Sequence, residues 1–278
     1  MEIYEGAPVV IGIDGSPDTP EVVRVATREA ALRHRNLRLV RCVSWPPMGW
    51  STAAGPALRS RRESRSLAGK DLAEAAGLAR RLVPEAGVVS EIVDGSPAAQ
   101  LLAVADGAVM LLVGGRSANT ELITRCACPL IVVHGHQDPY GPVVVGVDGS
   151  PGCASALDFA AQEACLRNVE LIALHTWTGS DGTELNAGLP VSRQFGSGEE
   201  EQQRVLAEAL GGIAVHFPDL AVQRVVRRGS ARRQLLELSY SAQLVVVGGL
   251  LPGWVSRQLL LRAGCPAAVV HPAHALGA

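Results

Sequence analysis

The sequence predicts an α/β protein of two like domains, each a doubly wound parallel sheet, and three observations predict it. The first is an internal repeat: moved along by 134 residues, Asp14-Gly15-Ser16-Pro17 falls on Asp148-Gly149-Ser150-Pro151. The second is a set of short β-branched runs, Val9–Ile13 and Val143–Val147 among them, which suit strands buried on both faces. The third is that such runs alternate with amphipathic stretches, the order that lays helices over both faces of a parallel sheet.

The repeat runs through the chain. The same shift lays Glu29-Ala30 on Glu163-Ala164, Ala73-Glu74-Ala75 on Ala207-Glu208-Ala209, and Pro84 on Pro218. It also lays Gly95-Ser96 on Gly229-Ser230 and Gly114-Gly115 on Gly248-Gly249. Trp45 meets Trp177 after a two-residue deletion, and Cys128-Pro129 meets Cys265-Pro266 after a three-residue insertion. This is a tandem duplication, with residues 1–138 and 139–278 as the domains and the polar Gly135–Pro142 as their joint.

In the first copy Val9–Ile13 is a strand, and Ser16-Pro17 offers a cap and a first-turn proline to the helix that follows. That helix buries Val22, Val25, Ala26 and Ala30 on one side. Leu37–Val43 is the second strand. A helix over Leu67–Val83 stops at Pro84, and Val88–Val93 is the third strand. Pro97–Ala105 is a short helix, with Val109–Val113 and Leu130–Val133 as the last two strands. In the second copy the strands are Val143–Val147, Val169–His175, Ala221–Val226, Leu244–Val247 and Ala267–Val270. The copies differ most in Pro46–Ser66 and Thr178–Glu201, the insertions after each second strand, both expected to be mobile. Within the first, Arg59–Arg65 reads as an exposed helix start and not as a nucleic-acid surface.

Composition narrows the function classes. A hydrophobic fraction of 47% in 278 residues gives each half a core. A formal net charge of -2 provides no global field for nucleic acid or an anionic membrane. Lys70 is the only lysine beside 24 arginines, a bias that genome composition explains. No apolar run reaches the roughly 20 residues of a membrane helix. The N-terminus, Met-Glu-Ile-Tyr-Glu-Gly, has neither a basic region nor an apolar core of a secretory signal, so a cytoplasmic protein with reduced thiols is expected. Cys126-Ala-Cys128 lacks the further ligands that zinc needs and reads as a pair of buried small side chains. Cys128 and Cys265, before the fifth strands, are expected to be inert, with no cation to lower their pKa.

The chemistry concentrates at the two Asp-Gly-Ser turns. In an open parallel sheet, ligands lie beyond the carboxyl ends of strands where the winding reverses. A carboxylate at Asp14 or Asp148 can accept a hydrogen bond from an adenine amino group or a ribose hydroxyl. Gly15 and Gly149 permit the tight turn, and the helix behind presents N–H groups. The same four residues, without any ligand, also make a plain turn and helix start.

The order and spacing of these pieces resemble the universal stress protein family in its tandem form. The residues that carry the likeness are VVIGIDGS and VVVGVDGS, VDGSPAAQLL, LLVGGRS and VVVGGLL, and CPLIVV and CPAAVV, spread over the whole chain. The resemblance implies Rossmann-like domains of strand order 3-2-1-4-5. It also implies fifth strands, Leu130–Val133 and Ala267–Val270, that pair the halves as an internal pseudo-dimer or pair chains as a homodimer. Many members bind ATP, with the first-strand aspartate towards the adenine. The site residues it suggests are Asp14, Gly15, Val43, Gly114 and Gly115, and then Asp148, Gly149, Gly248 and Gly249.

The departure from the family concerns phosphate. ATP-binding members carry G-x2-G-x9-G-[ST] after the fourth strand, whose glycine amides cradle the phosphates. Here no glycine occurs between Gly115 and Cys128, and Gly253 and Gly264 do not make the Gly-Ser/Thr end of the motif. Backbone approach to an anion needs glycine at those places. Arg228 and Arg233, beside Arg227 and Arg232, are candidate replacements at a helix start, though a solvated surface in an arginine-rich chain is the favoured reading of them.

The expectation is therefore a non-catalytic regulatory stress protein that binds ATP or another adenine nucleotide weakly or not at all, and acts on a regulatory partner. The alternatives are a genuine adenylate binder with another phosphate site and an interaction module without a ligand. An adenine-nucleotide hydrolase is disfavoured, since Gly12–Asp18 lacks a Ser-Gly-Gly-x-Asp-Ser pyrophosphate loop. His34, His134, His136, His175 and His216 have no spacing suited to a metal or to a nucleophile's base.

Overall fold

A computed structural model of the chain describes residues 6–44, 54–85, 87–135, 138–150, 153–177, 198–249 and 254–272. They belong to two compact units, Met1–Val133 and His134–Ala278.

In unit 1 the strands are β1 (Val9–Ile13), β2 (Leu37–Val43), β3 (Val88–Asp94), β4 (Met110–Gly114) and β5 (Leu130–Val133). They lie in the order β3-β2-β1-β4-β5, with every neighbouring pair parallel. The helices are α1 (Thr19–Leu32), α2 (Ala54–Leu82), α3 (Pro97–Ala105) and α4 (Thr120–Arg125). α1 packs on α2 and α3 packs on α4, one pair to each face of the sheet. The centre is apolar on both sides: every residue of β1 and β4 is buried. Gly12 lets α3 approach β1, because a Cβ there would stand 3.1 Å from Leu101.

Unit 2 repeats the plan with β6 (Val143–Val147), β7 (Leu171–Trp177), β8 (Val222–Arg228), β9 (Leu244–Gly248) and β10 (Ala267–Val270). Its order is β8-β7-β6-β9-β10, again parallel throughout. Its helices are α5 (Cys153–Arg167), α6 (Glu199–Ala209), α7 (Gly211–His216), α8 (Ala231–Ser239) and α9 (Trp254–Arg262). Both units bury an ion pair one helical turn apart, Glu29 of α1 with Arg33 at its C-terminal cap and Glu163–Arg167 on α5. No helix among the described residues is long and apolar enough to cross a membrane.

Several expectations need correction. Ser16 does not cap α1. Its N–H bonds to Asp14 and its carbonyl accepts from Thr19, so Asp18 takes the cap position and Pro20 the first turn. α2 begins at Ala54, not Leu67, so Ala54–Ser66 is helix and not a mobile insertion. Alanine, arginine and glutamate are good helix formers, and Pro56 falls in the first turn, where its missing N–H costs no bond. Residues 46–53 and 178–197 lie outside the described residues. The register of β7 puts Trp177 at the place of Val43 and not of Trp45, which is also outside them. α4 and α9 had no counterpart in the sequence reading, and the helix that the repeat implied after β7 is present as two, α6 and α7.

Candidate functional site

In unit 1 the connections from β1 and β4 leave on opposite faces, and the crevice that opens between their carboxyl ends is where such sheets hold ligands. Asp14 follows β1, and Gly114 ends β4 close beside it: a Cβ on Gly114 would lie 3.9 Å from Asp14 Oδ2. Gly15 turns the chain with φ +70°, a conformation in which a side chain is strained, and a Cβ there would stand 2.6 Å from the Asp71 carboxylate. Asp71 is held in place by Arg41 at 3.1 Å.

Asp14 accepts three hydrogen bonds from its own chain. Oδ1 accepts from the Ser16 N–H at 2.9 Å and from Thr19 Oγ1 at 3.2 Å. Oδ2 accepts from Ser117 Oγ at 2.8 Å, across the crevice from the turn after β4. Burial pushes the Asp14 carboxyl up, but hydrogen bonds from Ser16, Ser117 and Thr19 outweigh it and hold the pKa below the ordinary aspartate value. The Ser117 N–H is itself bonded to the Gly114 carbonyl at 2.9 Å, which closes the Gly114–Ser117 turn.

Unit 2 places the same aspartate in a different setting. The Asp148 carboxylate is exposed and accepts from the Ser150 N–H at 2.9 Å, with no other hydrogen bond to it among the described residues. Gly149 has φ +73°, as Gly15 does. His175 stands where unit 1 has Arg41, its Nδ1 2.7 Å from the Val147 carbonyl and its Nε2 2.9 Å from Gln202 Oε1. Gly249 donates to the Val270 carbonyl at 2.8 Å, and a Cβ on it would meet the His271 ring at 2.6 Å.

The remaining sequence candidates are more scattered. Val43 is buried at the end of β2, its carbonyl accepting from Gly95 N–H at 3.0 Å. Gly115 lies inside the Gly114–Ser117 turn, and Gly248 is the last residue of β9. Arg228 ends β8, two strands from β6 and so roughly 10 Å aside from it. Its guanidinium lies over the Trp177 ring, 5.8 Å from the centroid. Arg233 is exposed on α8. At the Arg228 position unit 1 has Asp94, which binds Arg61 at 3.0 Å and Arg65 at 2.8 Å. Arg61, then Arg65, hold its carboxyl below the usual range. Two arginines of the Arg59–Arg65 run are therefore committed to an intramolecular contact.

A cleft of about 550 Å³ opens between α1 and α2, from the Gly15–Pro17 turn to Leu78 and Arg81; Asp14, Gly114 and Ser117 do not line it. The thiols of Cys126 and Cys128 lie 3.8 Å apart and are buried. The contact with Cys126 and then burial push the Cys128 thiol up. Burial pushes Cys265 up to about 12. The expectation that no cation acts on these thiols fails at Cys265, where the Arg167 charge pulls downward and burial wins.

Sequence reasoning missed Thr19, Ser117, Arg41 and Asp71. The one available signal was Ser117, which stands three residues after Gly114, at the place of the second glycine in the expected G-x2-G.

A sequence model described as the universal stress protein family matches residues 7–134 and again 139–271. A universal stress protein of Mycobacterium tuberculosis is 35% identical over 293 residues, covering 94% of this chain and 96% of its own. A second from the same organism is 35% identical over 260 residues, with 86% and 85% covered. Among solved structures, a universal stress protein from Archaeoglobus fulgidus shares the fold with a TM-score of 0.71 at 14% identity, covering 97% of each chain.

Proposed function

The chain belongs to the universal stress protein family in its tandem, two-domain form, and we propose that it serves there as a non-catalytic regulatory protein of the cytoplasm whose adenine-nucleotide pockets are only partly kept. The observation that carries this reading is that both carboxylate oxygens of Asp14 already accept hydrogen bonds from the chain. In ATP-binding members this aspartate faces adenine, whereas here a ligand must displace Ser117 from Oδ2 or share that oxygen with it. The exchange trades one hydrogen bond for another and adds little affinity. On the phosphate side, the Ser117 N–H is turned inward to Gly114, and residues 116–125 contain no glycine. Losing several charge-assisted bonds to phosphate, each worth roughly 1.5–3 kcal/mol, lowers affinity by orders of magnitude.

A second reading, an adenylate site with another anion-binding group, is favoured in unit 2 alone. There the Asp148 carboxylate is exposed, and Arg228 is held over Trp177.

Titration calorimetry with ATP, AMP and adenosine tests both readings. ATP is expected to bind no better than about 0.1 mM, with the triphosphate adding little over adenosine. Low-micromolar ATP binding that is lost on Arg228→Ala or Arg233→Ala would select the second reading.

A further inference from the structure

We propose that Ser117 is a latch that closes the unit 1 crevice to ligands, making the two halves of the chain unequal. The inference deepens the function proposed above and rests on its premise that the ligand these crevices suit is of the adenine nucleoside class.

Asp14 and Ser117 are 103 residues apart in sequence and meet only because β1 and β4 are neighbours. The Ser117 hydroxyl is not a wandering surface group. Its own N–H is tied to Gly114 O, and Asn119 caps α4 by accepting from Leu122 N–H at 2.9 Å, so the turn is fixed on both sides. Oδ1 is occupied by the local Asp14–Thr19 turn, which leaves Oδ2 as the oxygen a ligand would address. Ser117 covers that oxygen with a donor, the group that an adenine amino or ribose hydroxyl would otherwise supply. The Leu-Leu-Pro-Gly run after Gly249 contains no hydroxyl, so its side chains cannot reproduce the latch. Ser117 is not among the described residues with positive φ, so alanine fits its backbone.

The test uses the full chain with adenosine as the probe in equilibrium dialysis. Ser117→Ala is expected to raise adenosine affinity at unit 1 by about tenfold or more, the value of one charge-assisted hydrogen bond no longer displaced. Asp14→Asn in that background should remove the gain. Ser117→Thr, which keeps the hydroxyl, should bind as the wild type does. Should Ser117→Ala melt at a lower temperature than the wild type, Ser117→Gly removes the same hydroxyl and takes its place. A hydroxyl-free variant that melts normally and binds adenosine no better than wild type overturns the latch. So does wild-type adenosine binding that Asp14→Asn abolishes. Low-micromolar ATP binding that survives Asp14→Asn would instead overturn the proposed function and leave the latch standing.

Discussion

Asp14 and Asp148 end equivalent strands and lead into equivalent glycine turns, but the chain surrounds them with different chemistry. Arg41 and Asp71 brace the first turn, and His175 and Val205 stand at their places in the second. Where a Cβ on Gly15 would meet the Asp71 carboxylate, one on Gly149 would meet the Val205 methyl at 3.5 Å, so the duplicated turn has unlike surroundings. The thiols give a direct test at this scale. Cys165 is exposed on α5, and the other five cysteines are buried. With its pKa near 12, Cys265 is thiolate in only about one molecule in ten thousand at pH 8. A bulky thiol reagent should therefore take up one fast equivalent per native chain, at Cys165, with Cys128 and Cys265 reacting only on unfolding. Fast labelling of either buried thiol, located by peptide mass mapping, would contradict the packing before β5 and β10.

The strands of the two copies coincide in order, while their helices have drifted. α2 runs unbroken for 29 residues, whereas its counterpart is split into α6 and α7 at Leu210, just before Gly211-Gly212. Two adjacent glycines weaken a helix by about 1 kcal/mol each relative to alanine. The positions of Arg65 and Asp94 in unit 1 are Glu199 and Arg228 in unit 2, the same two elements with their charges exchanged. The feature that both copies kept is buried. On α5, Arg167 binds Glu163 at 2.8 Å and Gln243 at 3.2 Å, and Gln243 reaches the Gly141 carbonyl at 2.6 Å. Removing one partner strands a charge away from water. Glu163→Ala is expected to cost about 3–5 kcal/mol in denaturant unfolding. Replacing both, as in Glu163→Leu with Arg167→Met, should cost much less. Equal losses in the single and double variants would show that the pair acts through packing alone.

At the scale of the molecule, the strand order within each unit finishes on a short apolar strand, β5 in unit 1 and β10 in unit 2. Within unit 1, β5 pairs with β4 on one side only, and its Leu-Ile-Val-Val sequence carries no charge to discourage a second partner. An apolar edge of this kind is a pairing liability. Residues 1–138 expressed alone should therefore sediment as a homodimer or aggregate. Charging the edge by Ile131→Lys should worsen folding without producing a tidy monomer, since Ile131 is also core. A well-behaved monomeric fragment would remove the case for pairing through the fifth strands.

The duplication, the parallel sheets and the Asp-Gly-Ser turns were legible in the sequence because each depends on neighbours along the chain. Val9–Ile13 and Val143–Val147 announce buried strands by composition alone, and Gly15 and Gly149 announce the turns. The start of α2 was missed because Ala54–Ser66 opens on Gly55-Pro56 and continues as arginines and serines, without the apolar rhythm that marks a packed helix. What only the tertiary structure decided is whether an aspartate at the end of a strand is available to a ligand. Ser117 reaches Asp14 through the adjacency of β1 and β4, and Arg41 reaches Asp71 through the packing of α2 on β2. Those contacts are set by strand order and helix placement over long separations, which no local pattern of residues encodes.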